Sequence, residues 1–341
     1  MRRVGIVGAG TMSRVHADAW GHTGAHLAGV YSSRLEAAAR VAGLYRATAF
    51  ASLESLLDAV DIVDICAPTD THREYVLAAA RAGKHVLCEK PIALTLEDAT
   101  EMIGAVESNG VRLFVAHILR FFPEYAAARR LVSEGAIGNL GVISLSRAIP
   151  HPGAGPRKWY AAEDRSGGVV TDLMVHDFDY ARWLAGDVAR VYCRRYTSDS
   201  ADYALVTLRL AGGAIAHIEG SWAYLTGSFH TAFDIAGGDG LLTYDSDRSS
   251  PLRLRFREQE GGKPGVVLPT TPLLGEDNPY VKEVQHVLSC LDSGEEFLVT
   301  ARDAVAALQI ALAARQSAAT GQPVALEPVA TRLASSEGER L

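Results

Sequence analysis

No stretch of this 341-residue chain reads as a membrane span; the longest helical apolar run, around Ala304 to Ala314, is too short to cross a bilayer. The two opening arginines precede only a short apolar run broken by glycines, which reads as neither a secretory signal nor a membrane span. Cytoplasm is the expected compartment. Cysteine is sparse. Cys66, Cys88, Cys193 and Cys290 are scattered without C-x-x-C or metal-ligand spacing, so neither a structural disulfide nor a metal site is expected. Lysine and arginine never gather into a sustained run and the formal net charge is −7, which excludes a nucleic-acid footprint. The most basic patch, Leu252 to Arg257, alternates with period two and reads as a strand with one apolar and one solvated face. No internal repeat is evident.

What is present has the composition of a soluble globular protein, 48% hydrophobic and 21% charged, with enough chain for two domains. Val4 to Val7 is an almost wholly apolar run, as a strand buried on both faces should be. Gly8-Ala9-Gly10-Thr11-Met12-Ser13 follows at once, then a helical segment from Arg14 to Trp20. In that context the glycines permit a tight turn and let backbone amides approach a pyrophosphate at the helix N-terminus. Ser13 stands where a third glycine is usual.

After the apolar run Ala25 to Val30, the dinucleotide fingerprint expects an acidic residue to hold a ribose 2′-hydroxyl. Tyr31-Ser32-Ser33-Arg34 offers hydroxyls and a guanidinium instead, groups that pair with a 2′-phosphate, so NADP(H) is expected over NAD(H). Ser33-Arg34-Leu35-Glu36 also reads as a capping box for the next helix, and the two readings are compatible. The strand Val60 to Ala67, the helix His72 to Ala82 and the strand His85 to Cys88 follow. A helix capped at Thr95 and the strand Val111 to Ala116 continue the alternation. Such alternation predicts a parallel, doubly wound sheet with its ligand at the carboxyl ends of the strands, where Glu89-Lys90-Pro91 falls.

Past Phe122 the pattern changes to alternation within strands, as in an antiparallel sheet with one packed face. Val142 to Arg147 alternates. Ala204 to Leu210 with Ala214 to Glu219, and Phe229 to Ala236 with Leu241 to Tyr244, read as hairpins around glycines. Two amphipathic helices follow, the first with Val281, Val284, Val287, Leu288 and Leu291 on one face, the second opening at Thr300 with Asp303 three residues on. The domains are therefore expected at residues 1–120 and 121–329, with a polar tail at 330–341. Within the second, Gly167 to Asp179 carries Asp172, His176 and Asp179, which share one stripe if the segment is helical. A carboxylate within reach of an imidazole is the minimum apparatus for moving a proton near neutral pH. An exposed Asp/His pair on an amphipathic helix is the plain alternative.

Taken in order and spacing, several motifs resemble the Gfo/Idh/MocA family, the group containing glucose–fructose oxidoreductase and inositol dehydrogenase. They are Gly8-Ala9-Gly10, Ala67-Pro68-Thr69 with His72, His85-Val86-Leu87-Cys88-Glu89-Lys90-Pro91, Arg120-Phe121-Phe122-Pro123, Gly167-Gly168 and Asp172-x-x-x-His176-x-x-Asp179. Ser13 departs from the pattern, as does Thr69-Asp70-Thr71, where the family often has Thr-Pro-Asn. The resemblance implies an N-terminal Rossmann domain and a C-terminal α+β domain with a large, mostly antiparallel open sheet. That sheet is often used for self-association, so a homo-oligomer, dimer or tetramer, is implied.

For the site, the resemblance implies a dinucleotide held by Gly8, Gly10, Thr11, Met12, Ser32, Ser33, Arg34, Ala67, Pro68, Thr69, His72, Glu89 and Lys90. It places the nicotinamide over the strand ends, with Lys90 and the Asp172/His176 segment facing it and handling the proton, and Asp179 beside the substrate. The chemistry agrees: oxidising a secondary alcohol needs a hydride acceptor, a base at the hydroxyl and a cation to steady the developing alkoxide. Arg120 would bind substrate or pair on the surface; Trp159 would stack on a sugar or belong to the core. His16 and His72 read as scaffolding for the cofactor loops. The expected function is an NAD(P)-dependent oxidoreductase acting on a sugar, inositol or related polyol. A hydrolase or lyase with transient oxidation is one alternative. A non-catalytic dinucleotide-binding regulator is the other, and the joint presence of Lys90, Asp172 and His176 argues against it. No Tyr-x-x-x-Lys occurs, which disfavours a short-chain dehydrogenase mechanism.

Overall fold

Val4, Ile6 and Val7 are almost wholly shielded from solvent, and around that strand the first unit is laid down. The structure, a computed structural model, describes residues 1–152, 159–224, 229–248, 252–256, 267–268 and 277–327, the two short strands among these by backbone alone. In chain order the first elements are β1 (Arg3–Val7), α1 (Thr11–Gly21), β2 (His26–Tyr31), α2 (Leu35–Leu44), β3 (Thr48–Phe50) and α3 (Leu53–Ala59). Then come β4 (Ile62–Ile65), α4 (His72–Arg81), β5 (His85–Glu89), α5 (Leu96–Ser108) and β6 (Leu113–Ala116). The strands form one six-stranded sheet in the order β3-β2-β1-β4-β5-β6, parallel at every pairing. Strand order reverses at β1, and a crevice at the carboxyl ends there is where ligands bind in sheets of this kind.

Caps follow the sequence in one place and not in another. The Thr95 hydroxyl accepts the Asp98 N–H at 3.1 Å and starts α5. The capping box expected at Ser33 does not form: the N-cap of α2 is Arg34, which has no side-chain cap. The Ser32 hydroxyl instead closes the turn on the Arg34 N–H at 3.4 Å, leaving Ser33 exposed.

The second unit begins with α6 (Pro123–Ser133), β7 (Leu140–Ala148), α7 (Glu163–Ser166) and α8 (Val175–Ala185). The strands β8 (Val188–Ser198), β9 (Ala201–Leu210), β10 (Ile215–Ser221), β11 (His230–Gly237), β12 (Gly240–Asp245), β13 (Leu252–Phe256) and β14 (Val267–Leu268) follow. The chain ends its described course with α9 (Pro279–Ser293), α10 (Ala301–Thr320) and β15 (Val324–Ala325). Among the described residues the sheet has nine strands, ordered β14-β13-β12-β11-β7-β10-β9-β8-β15. Its pairings are antiparallel except that between β7 and β10. Along β9, Asp202, Ala204, Val206, Leu208 and Leu210 are buried while Leu205 and Arg209 face out. The expected alternation is thus real, one face packed and one solvated. The faces of β13 and the tail at 330–341 lie outside the described residues.

The chain divides into two units, Met1–Phe121 with Pro272–Val305, and Phe122–Thr271 with Ala306–Leu341. The helix α9 therefore groups with the first unit, away from the strands that precede it in sequence. The reason is its apolar stripe: Val281, Val284, Val287 and Cys290 are buried in one core with Val4, Ile6, Trp20 and Phe114. Arg112 fastens the same helix by donating to the Cys290 carbonyl at 2.6 Å. Before α10, Thr300 and Asp303 cap each other reciprocally, each backbone N–H donating to the other's side chain at 3.1 Å. Among the described residues no helix is long and apolar enough to cross a membrane.

Candidate active site

The turn after β1 is held from both sides. The Gly8 N–H donates to the Tyr31 carbonyl and the Cys66 N–H to the Val7 carbonyl, both at 2.8 Å. Gly8 has φ +119°, and a Cβ there would lie 2.5 Å from the Cys66 carbonyl oxygen, so only glycine fits. A Cβ at Gly10 would meet nothing within 4 Å, so the backbone there borders open space. Ser13 is fully buried, and its hydroxyl accepts the Gly10 N–H at 3.2 Å, closing the turn where a third glycine is usual. The first turn of α1 carries no acidic side chain. Its amides and its partial positive charge border the same open space, beside exposed Thr11 and half-buried Met12, an arrangement that fits a pyrophosphate.

The other expected cofactor residues stand on neighbouring strand ends of this unit. Ser32 is half-buried and Ser33 and Arg34 are exposed just past β2, adjacent to the glycine turn. Ala67 and Pro68 are half-buried and Thr69 is buried past β4. The His72 ring joins that turn to the one after β5: Nε2 is 3.0 Å from the Ala67 carbonyl and Nδ1 is 3.0 Å from the Pro91 carbonyl. Burial pushes His72 below its ordinary value and outweighs the pull of those carbonyls. A neutral ring then donates to one of them only. Lys90 is half-buried, its backbone N–H donates to Glu89 Oε2 at 3.1 Å, and the Lys90–Pro91 peptide bond is cis.

Beneath these turns is a buried cluster that the sequence reading did not assemble. His16 Nδ1 lies 3.0 Å from both oxygens of Asp64, and the Trp20 indole donates to Asp64 Oδ2 at 2.6 Å. His16 Nε2 is 3.0 Å from Glu89 Oε1, at an angle too bent for a good hydrogen bond, so that contact is chiefly one of charge. Glu283 of α9, fully buried, interacts electrostatically with His16, Glu89 and Asp64. The available signal was Asp64 itself, a carboxylate within the otherwise apolar run Ile62-Val63-Asp64-Ile65. A charge in a strand buried on both faces must be paired.

In the second unit, Gly167 and Gly168 have φ of +79° and +69° and lead into a π-helical turn, Val169–Leu173. Asp202 anchors that turn by accepting the Val169 N–H at 2.9 Å while its two oxygens take a fork of bonds from Arg195 at 2.8 Å. The Met174 N–H reaches back five residues to the Val169 carbonyl at 3.0 Å, and α8 starts only at Val175. The segment carrying Asp172, His176 and Asp179 is therefore helical but not α-helical throughout. Asp172 is buried in the wider turn; half-buried His176 and buried Asp179 follow on α8. The position of α8 is fixed next to His176 by a buried ion pair, Arg147 Nε and Nη2 donating to the Asp177 oxygens at 2.8 and 2.9 Å. Neither Asp202 nor this pair stood out in the sequence, because each is completed from a strand far along the chain.

Two further expectations can be located. Arg120 is 4% exposed, so it is not a surface pair. Its Nη1 donates to the Leu298 carbonyl at 2.6 Å and to Asp303 at 3.2 Å, tying together two stretches of the first unit. Trp159 is half-buried and stacks on Tyr160 with ring centroids 3.8 Å apart.

A parallel sheet that switches direction at a glycine turn, with hydroxyls and a cation at the next strand end, defines a dinucleotide-binding oxidoreductase architecture. The chain belongs to the Gfo/Idh/MocA family: residues 2–117 match its "Oxidoreductase family, NAD-binding Rossmann fold" domain and residues 125–243 its C-terminal domain. It is 30% identical to the inositol 2-dehydrogenase of Rhizobium meliloti (strain 1021), over 95% of this chain and 99% of the relative. It is 31% identical to the 1,5-anhydro-D-fructose reductase of Ensifer adhaerens, over 96% of this chain and 99% of the relative. Among solved structures, levoglucosan dehydrogenase in complex with NADH and levoglucosan superposes with a TM-score of 0.87 at 24% identity, covering 96% of this chain and 99% of that one. That last likeness shows the fold.

Proposed function

We propose that the protein is a dehydrogenase that interconverts a secondary alcohol and a ketone on a sugar, inositol or related polyol, moving a hydride to or from a nicotinamide dinucleotide. The observation that carries this is the gathering, on the carboxyl ends of one parallel sheet, of the open Gly10 turn, Ser32 to Arg34, the Ala67–Thr69 turn and Lys90. A nicotinamide bound there would supply the hydride chemistry. The substrate class rests on the relatives: an inositol dehydrogenase and an anhydro-sugar reductase both align with nearly the whole chain.

In this reading His176 takes the hydroxyl proton, Asp172 favours the imidazolium that forms, and the Lys90 ammonium steadies the alkoxide. With no carboxylate among Tyr31 to Arg34, and with the exposed Arg34 guanidinium there, NADP(H) is the preferred cofactor. The protein would act in the cytoplasm as a homo-oligomer. The open face of its second sheet exposes Val142 and Leu205 at 43% and 45%, which supports self-association. The test is a panel of inositols, sugars and keto-sugars offered with NADP(H) and NAD(H) and followed at the nicotinamide absorbance band. Turnover of at least one polyol is expected. No change at the nicotinamide band with any member of the panel would remove the proposal.

A further inference from the structure

We propose that His16 is a positioning residue for this reaction, an imidazolium clamped between the Asp64 and Glu89 carboxylates that fixes the Glu89–Lys90 turn and so where Lys90 stands. The proposal rests on the reading of Lys90 given above. Its geometry is independent of that reading and runs through three elements of the first unit: α1, which opens at the glycine turn, β4 and the end of β5.

Asp64 has no exposure to solvent, and its oxygens already face the Trp20 indole N–H and, at 3.5 Å, the Cys66 thiol. An ionised carboxylate only accepts, so Nδ1 of His16, 3.0 Å from both oxygens, must carry a proton. On the other side of the ring, Glu89 Oε1 stands 3.0 Å from Nε2, and with Glu89 ionised that contact is attractive only if Nε2 is protonated as well. The second Glu89 oxygen accepts the Lys90 N–H at 3.1 Å, which completes a chain from Asp64 through the ring to the backbone of Lys90.

The charges agree with the geometry. Burial alone would lower His16, but Asp64 and, less strongly, Cys66 together outweigh it and hold the ring well above its ordinary value. Burial would raise Glu89, and the His16 contact, with a smaller contribution from Lys90, holds it below the usual carboxylate range. From the other elements, Glu89 is faced by His72 of α4, Cys66 past β4, Cys88 on β5 and Glu283 on α9. Burial favours the uncharged form of each of these four. Among the described residues facing Glu89, His16 and Lys90 are therefore the cations. His16, Asp64 and Cys66 also bring metal-ligand atoms within 4.8 Å of one another. A metal would need Nδ1 stripped of the proton that Asp64 holds in place, so the clamp is the reading the contacts favour.

The test compares His16→Gln, His16→Gln/Glu89→Gln and Lys90→Met with the parent, using the panel polyol of highest turnover and its preferred cofactor. In His16→Gln the Glu89 carboxyl loses its imidazolium and burial raises it. kcat should then fall about tenfold at about pH 6 and recover toward about pH 9, with KM values within about threefold of the parent. The parent should lack this added acid limb, and the double variant, with no carboxyl left at position 89 to titrate, should lose it again. A His16→Gln enzyme with the parental pH profile and only a lower unfolding temperature would reduce His16 to a structural role. So would a raised cofactor KM with kcat intact. Lys90→Met separates the two readings. If it is inactive while His16→Gln keeps the parental profile, this proposal alone fails; if it is active, the catalytic role of Lys90 fails first. Should His16→Gln not fold, nitrogen NMR of the histidine rings in the intact protein with NADH still decides. A His16 ring doubly protonated at about pH 7 is expected, and a neutral ring there overturns the clamp.

Discussion

Replacing Glu283 with glutamine should make the protein more stable at alkaline pH. Glu283 has no solvent exposure, and neither carboxyl oxygen has a hydrogen-bond partner among the described residues. Burial raises its pKa; His16 pulls it down, but Glu89 and Asp64 push it up again, and the net result lies well above the ordinary carboxyl value. A carboxyl raised in the folded state takes up a proton on folding. The associated stability is fully present below the unfolded value of about 4.3 and is lost as pH rises toward the folded one. Glutamine keeps the shape and does not titrate. At about pH 8 the variant should be the more stable, by about 1.4 kcal/mol for each unit by which folding raises the Glu283 carboxyl, and the gain should shrink toward about pH 4. Urea unfolding at several pH values, with the midpoint shifting at constant slope, reads this directly. A loss of stability at every pH would refute the reasoning, because it would mean that Glu283 is ionised and paired with His16.

Four other outcomes follow from the same structure. His176→Ala should lower turnover by about 10²–10⁴ while leaving cofactor affinity unchanged, as expected of a general base; steady-state kinetics with a cofactor titration checks both. Arg34→Ala should weaken NADPH binding about tenfold or more and NADH binding little, read by nucleotide fluorescence; equal losses would make Arg34 structural. Gly10→Ala should fold normally and bind dinucleotide poorly, because its Cβ projects into open space, whereas Gly8→Ala should fail to fold the turn against Cys66. Unfolding temperature and cofactor affinity separate the two. Arg147→Met should lower stability by about 3–5 kcal/mol by leaving buried Asp177 unpaired, measurable by denaturant unfolding.

What could be read in advance was whatever is written locally. Val4 to Val7 followed by Gly8-Ala9-Gly10 specifies strand, turn and helix within a few residues, and the structure keeps that order. The period-two strands from Val142 to Tyr244 likewise carry their own packed face. What could not be read is completed at a distance. Asp202 caps the Gly167-Gly168 turn from β9, and Arg147 reaches Asp177 from β7. The helix α9 carries a clear apolar stripe, but nothing in the stripe says which core it joins. The helical segment expected around Asp172, His176 and Asp179 is present, but its first turn depends on a residue far along the chain. A period of 3.6 assumes an unbroken α-helix, and the π-turn anchored by Asp202, which carries Asp172, is not one.

The measurement that bears most directly on the account uses a polyol deuterated at the carbon bearing its reactive hydroxyl, incubated with the protein and oxidised nicotinamide dinucleotide. Direct hydride transfer predicts one deuterium per turnover in the recovered reduced cofactor, bound to the nicotinamide ring and none released to solvent. Deuterium appearing in water, or product formed with no reduced cofactor accumulating, would contradict a net dehydrogenase.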